Sequence, residues 1–140
     1  MLTSTWIRSA PTQAHVSVAL VRVAVALIIL MHPLHGYAHL ENIPRFGEYL
    51  SSLGFPFGGA LAWAVLLTQT AASLLMLAGR LVVPACVAHM AVLLTGIVVF
   101  HYPLGWYVVG PGEGGMEFSV LMISCLCAVA WAHWPRRRGL

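Results

Sequence analysis

Four apolar stretches, at about Ser17–His39, Phe57–Gly79, Leu81–Tyr102 and Met116–Trp134, fill most of this 140-residue chain, and charge falls almost entirely between them or at their edges. Each is about 19–23 residues long. At about 1.5 Å of rise per residue, some 20 apolar residues cross a hydrocarbon layer of about 30 Å. Lipid offers no partner to a free N–H or C=O, so each stretch is expected as helix. The chain is 60% apolar and 8% charged, against about 25% charged in an ordinary soluble domain. Eleven charges in so short a chain cannot clothe that much apolar side chain in polar surface. A water-soluble globular domain, a disordered chain and a nucleic-acid binder of the basic-patch type are excluded. The expectation is an all-α integral membrane four-helix bundle, a single domain over 1–140, with helices at about 17–39, 57–79, 81–102 and 116–134 and the lipid bilayer as its first partner.

Gly and Pro punctuate the connections: Pro44, Gly47, Gly54, Pro56, Gly58 and Gly59 in the first, and a run from Pro103 to Gly115 in the third. The second, at Gly79-Arg80, is short enough to demand a tight antiparallel hairpin. Four spans put both termini and the middle turn on one side. That side carries Arg8, Arg80 and Arg136–Arg138, while the other carries Arg45 beside Glu41 and Glu48. The positive-inside rule therefore places both termini in the cytoplasm. Arg80 and the terminal arginines read as topology signals. Arg22 either snorkels to the inner headgroups or turns inward to a neighbouring helix. The first stretch reads as a span and not a cleaved leader, because Arg22 interrupts it and no clean small-x-small site follows. Cys86, Cys125 and Cys127 read as small apolar residues; the last two point about 200° apart on a helix and no Cys-x-x-Cys exists.

Polar groups in lipid normally face a protein interior or a wet cavity. His32, His35 and His39 share about 60° of helical arc, with Pro33 expected to kink the helix. His101 and Glu117 lie at the same outer depth, with Glu41 and Glu113 near. Three readings follow: interhelical hydrogen bonding; a small-molecule site, such as a quinone head group held by His donors in an apolar cleft; or a metal or haem site, for which the spacing matches no closed motif. Ala60, Ala64, Thr68 and Ala72 form a small-residue row on the second stretch, with Gln69 beside it, suited to close helix packing.

The ordered features resemble the DoxX family of small four-helix membrane proteins: Arg22 and an apolar run to His35-Gly36; Phe46-Gly47-Glu48-Tyr49-Leu50-Ser51-Ser52-Leu53-Gly54-Phe55-Pro56; an apolar helix to Gly79-Arg80; His101 and Gly105 before an aromatic pair; and Gly115-Met116-Glu117-Phe118. The resemblance spans about Val18 to Trp134. It implies a bacterial inner-membrane location. Some relatives are similar to the membrane subunit of a thiosulfate:quinone oxidoreductase, and others are associated with thiol-redox partners. The chain departs from the family at Gln69, where an acidic residue is usual, and at Ala38-His39, where Lys often follows the His-Gly pair; no proton-linked role is carried over. The resemblance and the polar residues together lead to a membrane component supporting a redox process, with quinone or quinol as the ligand. His35, His101 and Glu117 line the site, His32, His39 and Gln69 are further candidates, no metal is expected, and Arg22 braces the bundle. The alternative is a non-catalytic scaffold that holds a protein partner of a redox complex or pairs with itself, since no nucleophile–base pair or phosphate loop is present.

Overall fold

A computed structural model describes residues 13–110 and 113–135; Arg8, Pro111, Gly112 and Arg136–Arg138 lie outside the described residues. Within these the fold is all-helical, with five α-helices: α1 Ala14–Ala38, α2 Asn42–Ser52, α3 Gly58–Leu77, α4 Val82–Gly96 and α5 Glu117–Ala132. A π-helical turn, Ile97–His101, and a 3-10 turn, Tyr102–Leu104, prolong α4. Helix α1 packs on α3 and α5, α4 also packs on α3 and α5, and α2 lies against α3. The four long elements thus close a ring.

Two features differ from the sequence expectation. The first connection is not an irregular loop, because Asn42–Ser52 is helical. Ile43, Gly47 and Leu50 recur at helical spacing and are buried, while Arg45, Glu48 and Ser52 face outward. Pro44 sits in the first turn, where its missing N–H has no helical partner to lose. The second difference is length. Three segments, Ala14–Ala38, Gly58–Leu77 and Val82–Leu104, are long and apolar enough to cross a membrane, whereas α5 has 16 residues. It begins one residue after the expected start at Met116 and ends two before the expected end at Trp134, and a turn at 113–116 precedes it. There the N–H groups of Gly115, Met116 and Glu117 bond to Tyr107, Gly105 and Trp106 carbonyls at 3.0–3.1 Å. Those bonds satisfy the backbone without a helix.

A third or less of each long segment is buried inside the chain. Leu20, Leu67, Val98 and Trp131 are among the apolar side chains left facing outward. In water that surface would be a large liability; in lipid it costs nothing. Close helix approach falls on glycines and not on the small-residue row. Of that row Ala60 and Ala64 are exposed, Thr68 is half-buried and Ala72 alone is buried; α3 also buries Ala62, Leu66, Gln69, Ser73 and Met76. Helix α2 reaches α3 at Gly47 and Gly58: a Cβ on Gly47 would lie 2.7 Å from Gly59 Cα, and one on Gly58 would overlap Gly47 O. Helix α1 stays helical through Pro33, whose ring is fully buried.

The end of the bundle at the Gly79-Arg80 turn is held by Arg22. Helix α3 ends in a Schellman motif: Gly79 has φ 68°, the Arg80 N–H bonds Leu75 O at 2.9 Å and the Gly79 N–H bonds Met76 O at 3.1 Å. The Arg22 guanidinium, about two turns into α1, donates through Nη1 to Met76 O and, at 3.4 Å, to Leu77 O. It does not snorkel away. It caps the negative end of α3 and satisfies carbonyls that lipid could not. Arg80 is exposed in the turn, and Leu81 takes a left-handed φ of 48° to begin α4. Two further polar links join the helices: Tyr37 OH, at the end of α1, with Thr70 Oγ1 at 2.9 Å, and the fully buried Ser73 Oγ with His89 Nε2 at 3.2 Å.

Candidate functional site

The buried residues form two cores. One, around Ile29, Met76, Leu126 and Met122, joins α1, α3, α4 and α5. The other, Ile43, Leu50, Ala62 and Leu66, sits under α2. Between them is a cavity of about 820 Å³ whose walls come from all five helices. Ile29 and Met122 of one core and Ile43, Leu50 and Leu66 of the other face into it.

The lining is mostly apolar, with a few polar side chains from different helices. His32 and His35 come from α1 and are joined by Gly36, whose bare backbone lets Leu66 of α3 close in. Gln69 comes from mid-α3, His101 from the π-helical turn after α4, and Ser119 from the first turn of α5. Asn42 and Thr95 add to the lining; the Thr95 hydroxyl donates to Ala91 O at 2.9 Å. Gln69 is 5% exposed, and its Oε1 has no hydrogen-bond partner. A buried amide oxygen left unpaired costs about 1–3 kcal/mol.

Of the six candidate ligand-binding residues, His32, His35, Gln69 and His101 meet at this cavity. His39 and Glu117 are not among its lining residues and serve as supports. The His39 ring lies over that of His35, centroids 4.3 Å apart, and its Nδ1 donates to His35 O at 3.1 Å. Glu117 Oε1 accepts the Val108 N–H at 2.9 Å from the N-terminus of α5, where a negative charge is favoured. Ser119 and the aromatic wall of Phe46 and Phe100 were not legible as site residues. Phe46 faces the cavity because α2 is helical, and Phe100 because the π turn re-aims the end of α4. The two rings are 5.9 Å apart, and Tyr49 stacks on Phe100 at 4.8 Å, so α2 roofs the cavity through aromatic contact with α4.

Residues 17–102 match the family model of DoxX. The chain belongs to the DoxX family. The match takes in α1 to the end of the π turn, and so the four polar residues His32, His35, Gln69 and His101; α5, with Ser119 and Glu117, lies beyond it. Among curated proteins and among solved structures, none matches. This DoxX protein is therefore an all-helical membrane protein in which the buried Gln69, the half-buried His101 and the exposed His32 and His35 border one cavity. Among the described residues no three His, Cys, Asp or Glu side chains gather closely enough to hold a metal ion. The three cysteines stand apart from the cavity; Cys86 is buried, and Cys127 Sγ touches Met90 Sδ at 3.4 Å.

The support role of Glu117 has a direct test. Glu117→Ala removes the acceptor for Val108 N–H and the charge at the α5 N-terminus, and should loosen the contact of 105–108 with 114–117 by about 1–2 kcal/mol. Limited proteolysis should then cut there faster than in wild type, while Glu117→Gln, which keeps an acceptor oxygen, should lie between the two.

Proposed function

We propose that this DoxX protein is a four-span protein of the bacterial inner membrane, with both termini cytoplasmic, which supports a redox process by binding the head group of a quinone or quinol. The observation that carries the reading is the convergence of His32, His35, Gln69 and His101 on one apolar cavity of about 820 Å³, with a buried Gln69 oxygen left unpartnered. Small-molecule sites have this form: concave, about 300–1,000 Å³, mostly apolar, with few polar groups to orient the ligand. Intramembrane polar residues that face a cavity mark ligand pathways more often than glue. The turn at Gly79-Arg80 and the arginines at both ends of the chain support the cytoplasmic side.

Titration of the protein in lipid nanodiscs with a quinone, followed by tryptophan fluorescence or calorimetry, tests this. Wild type should saturate. Gln69→Leu and His35→Ala should each weaken binding about tenfold, the value of one hydrogen bond of about 1.4 kcal/mol. Glu117→Gln should change it less than about threefold, since that side chain braces a turn outside the cavity. Absence of saturable binding of both the quinone and its quinol by wild type overturns the reading.

A second reading is a non-catalytic scaffold for a protein partner or a second copy. It draws on Ala60 and Ala64, whose outward position leaves a smooth strip for a further helix. Native mass in nanodiscs separates the two, since a scaffold of this kind travels with a stable partner.

A further inference from the structure

The cavity contains one histidine whose tautomer the fold decides. His101 Nδ1 lies 2.6 Å from the carbonyl oxygen of Gly114. A carbonyl accepts and never donates, so Nδ1 carries the proton. In the neutral ring the other nitrogen, Nε2, is then a bare lone pair. Gly114 has φ 75°, its N–H near Val108 O at 3.4 Å and its neighbour Gly115 bonded to Tyr107 O at 3.0 Å, so its carbonyl is placed by backbone contacts on both sides. Glu117 pins the facing segment through Val108 N–H. A Cβ on Gly115 would come within 2.5 Å of Trp106 C, so the two limbs of the turn are already at backbone contact.

We infer that His101 makes this cavity selective for a ligand whose ring bears a hydroxyl, the quinol and not the quinone. The inference rests on the reading of the cavity as a quinone or quinol site. A ligand O–H donates to Nε2. A carbonyl at the same place faces the nitrogen lone pair to lone pair, and both groups lose their water without a replacement. The other polar groups do not discriminate. Gln69 offers a donor and an acceptor on one amide, and the rings of His32 and His35 serve either form by exchanging tautomers. His101 alone is tied by its Nδ1 to the outer turn. The expectation from sequence, a head group held by histidine donors, is thus reversed at this position: the histidine is the acceptor.

The test compares one ring in three forms, hydroquinone, quinone and hydroquinone dimethyl ether, titrated anaerobically into the nanodisc-embedded protein. The hydroquinone should bind about tenfold or more tighter than the other two, as sites built around a ligand hydroxyl discriminate. His101→Phe keeps a ring and removes the acceptor, so the ratio should fall to near one. His101→Gln, which can still accept, should retain part of it. Equal or inverted affinities in wild type overturn the inference and leave the quinone-site reading standing; binding of none of the three forms overturns both. Nitrogen NMR of protein labelled at histidine gives an independent arm that does not depend on any variant folding. The His101 signal should be that of a ring protonated at Nδ1 and bare at Nε2, and the opposite tautomer sinks the inference whatever the titrations show.

Discussion

Gly58→Leu should undock α2 and abolish the cavity. A Cβ at this position overlaps Gly47 O and comes within 2.9 Å of Ser51 N, both on the facing helix. Backbone cannot yield as a side chain can. Overpacking in a tight interior costs about 1–3 kcal/mol, and clashes with rigid backbone lie at the upper end or beyond. Helix α2 is 11 residues long, too short to be stable alone, so its helicity depends on this contact. Released, it would take Ile43, Phe46 and Leu50 out of the cavity wall. A thermal melt in detergent should show a large loss of stability, and a protease should cut between 40 and 57 where the wild type resists. Gly36→Ala is the contrasting variant. A Cβ there meets the far end of the Leu66 side chain at 2.7 Å, which can swing, so its cost should be clearly smaller. Equal behaviour of the two variants would contradict the backbone docking of α2.

Arg22→Met should cost about 2 kcal/mol, through the loss of charged hydrogen bonds to the end of α3. Two opposing terms set that figure. Removing a cation from a membrane segment is favourable by about 2.5–3.5 kcal/mol on insertion scales at mid-helix and less toward the end, where Arg22 sits. Against it stand the Met76 and Leu77 carbonyls, left without Nη1, and a helix dipole left without its counter-charge. The two carbonyl contacts at the end of α3 tip the balance toward loss. Arg22→Lys should recover part of the stability, since an ammonium reaches one carbonyl but lacks the planar fork. Denaturation of the three proteins in one detergent measures the order, and Met more stable than wild type would show that desolvation of the guanidinium dominates.

Legibility followed physical scale. The long apolar stretches announced helices because lipid leaves the backbone no other choice. The turn at Gly79-Arg80 was legible as tight for the same reason, with glycine as the residue that enters the left-handed region cheaply. His32, His35, His101 and Gln69 were legible as polar groups too expensive to face lipid. Helix α2 was not, because Pro44, Gly47 and Gly54 carry turn signals that outweigh the spacing of Ile43, Phe46, Gly47 and Leu50 unless that spacing is counted. Nor was the division of labour between Glu117 and His101, which depends on which backbone groups Val108 and Gly114 present to them.

Apolar run length and the rarity of charge were enough, by themselves, to determine the solvent, the helical class and the few side chains that must hide from lipid. Such properties add up residue by residue. Tertiary structure alone decided that Arg22 caps α3, that Glu117 and His39 brace while four others line one cavity, and that His101 Nδ1 meets the Gly114 carbonyl. Those outcomes depend on angles and distances between segments far apart in the chain, and hydrogen bonds, unlike hydrophobicity, are lost with a displacement of about an ångström.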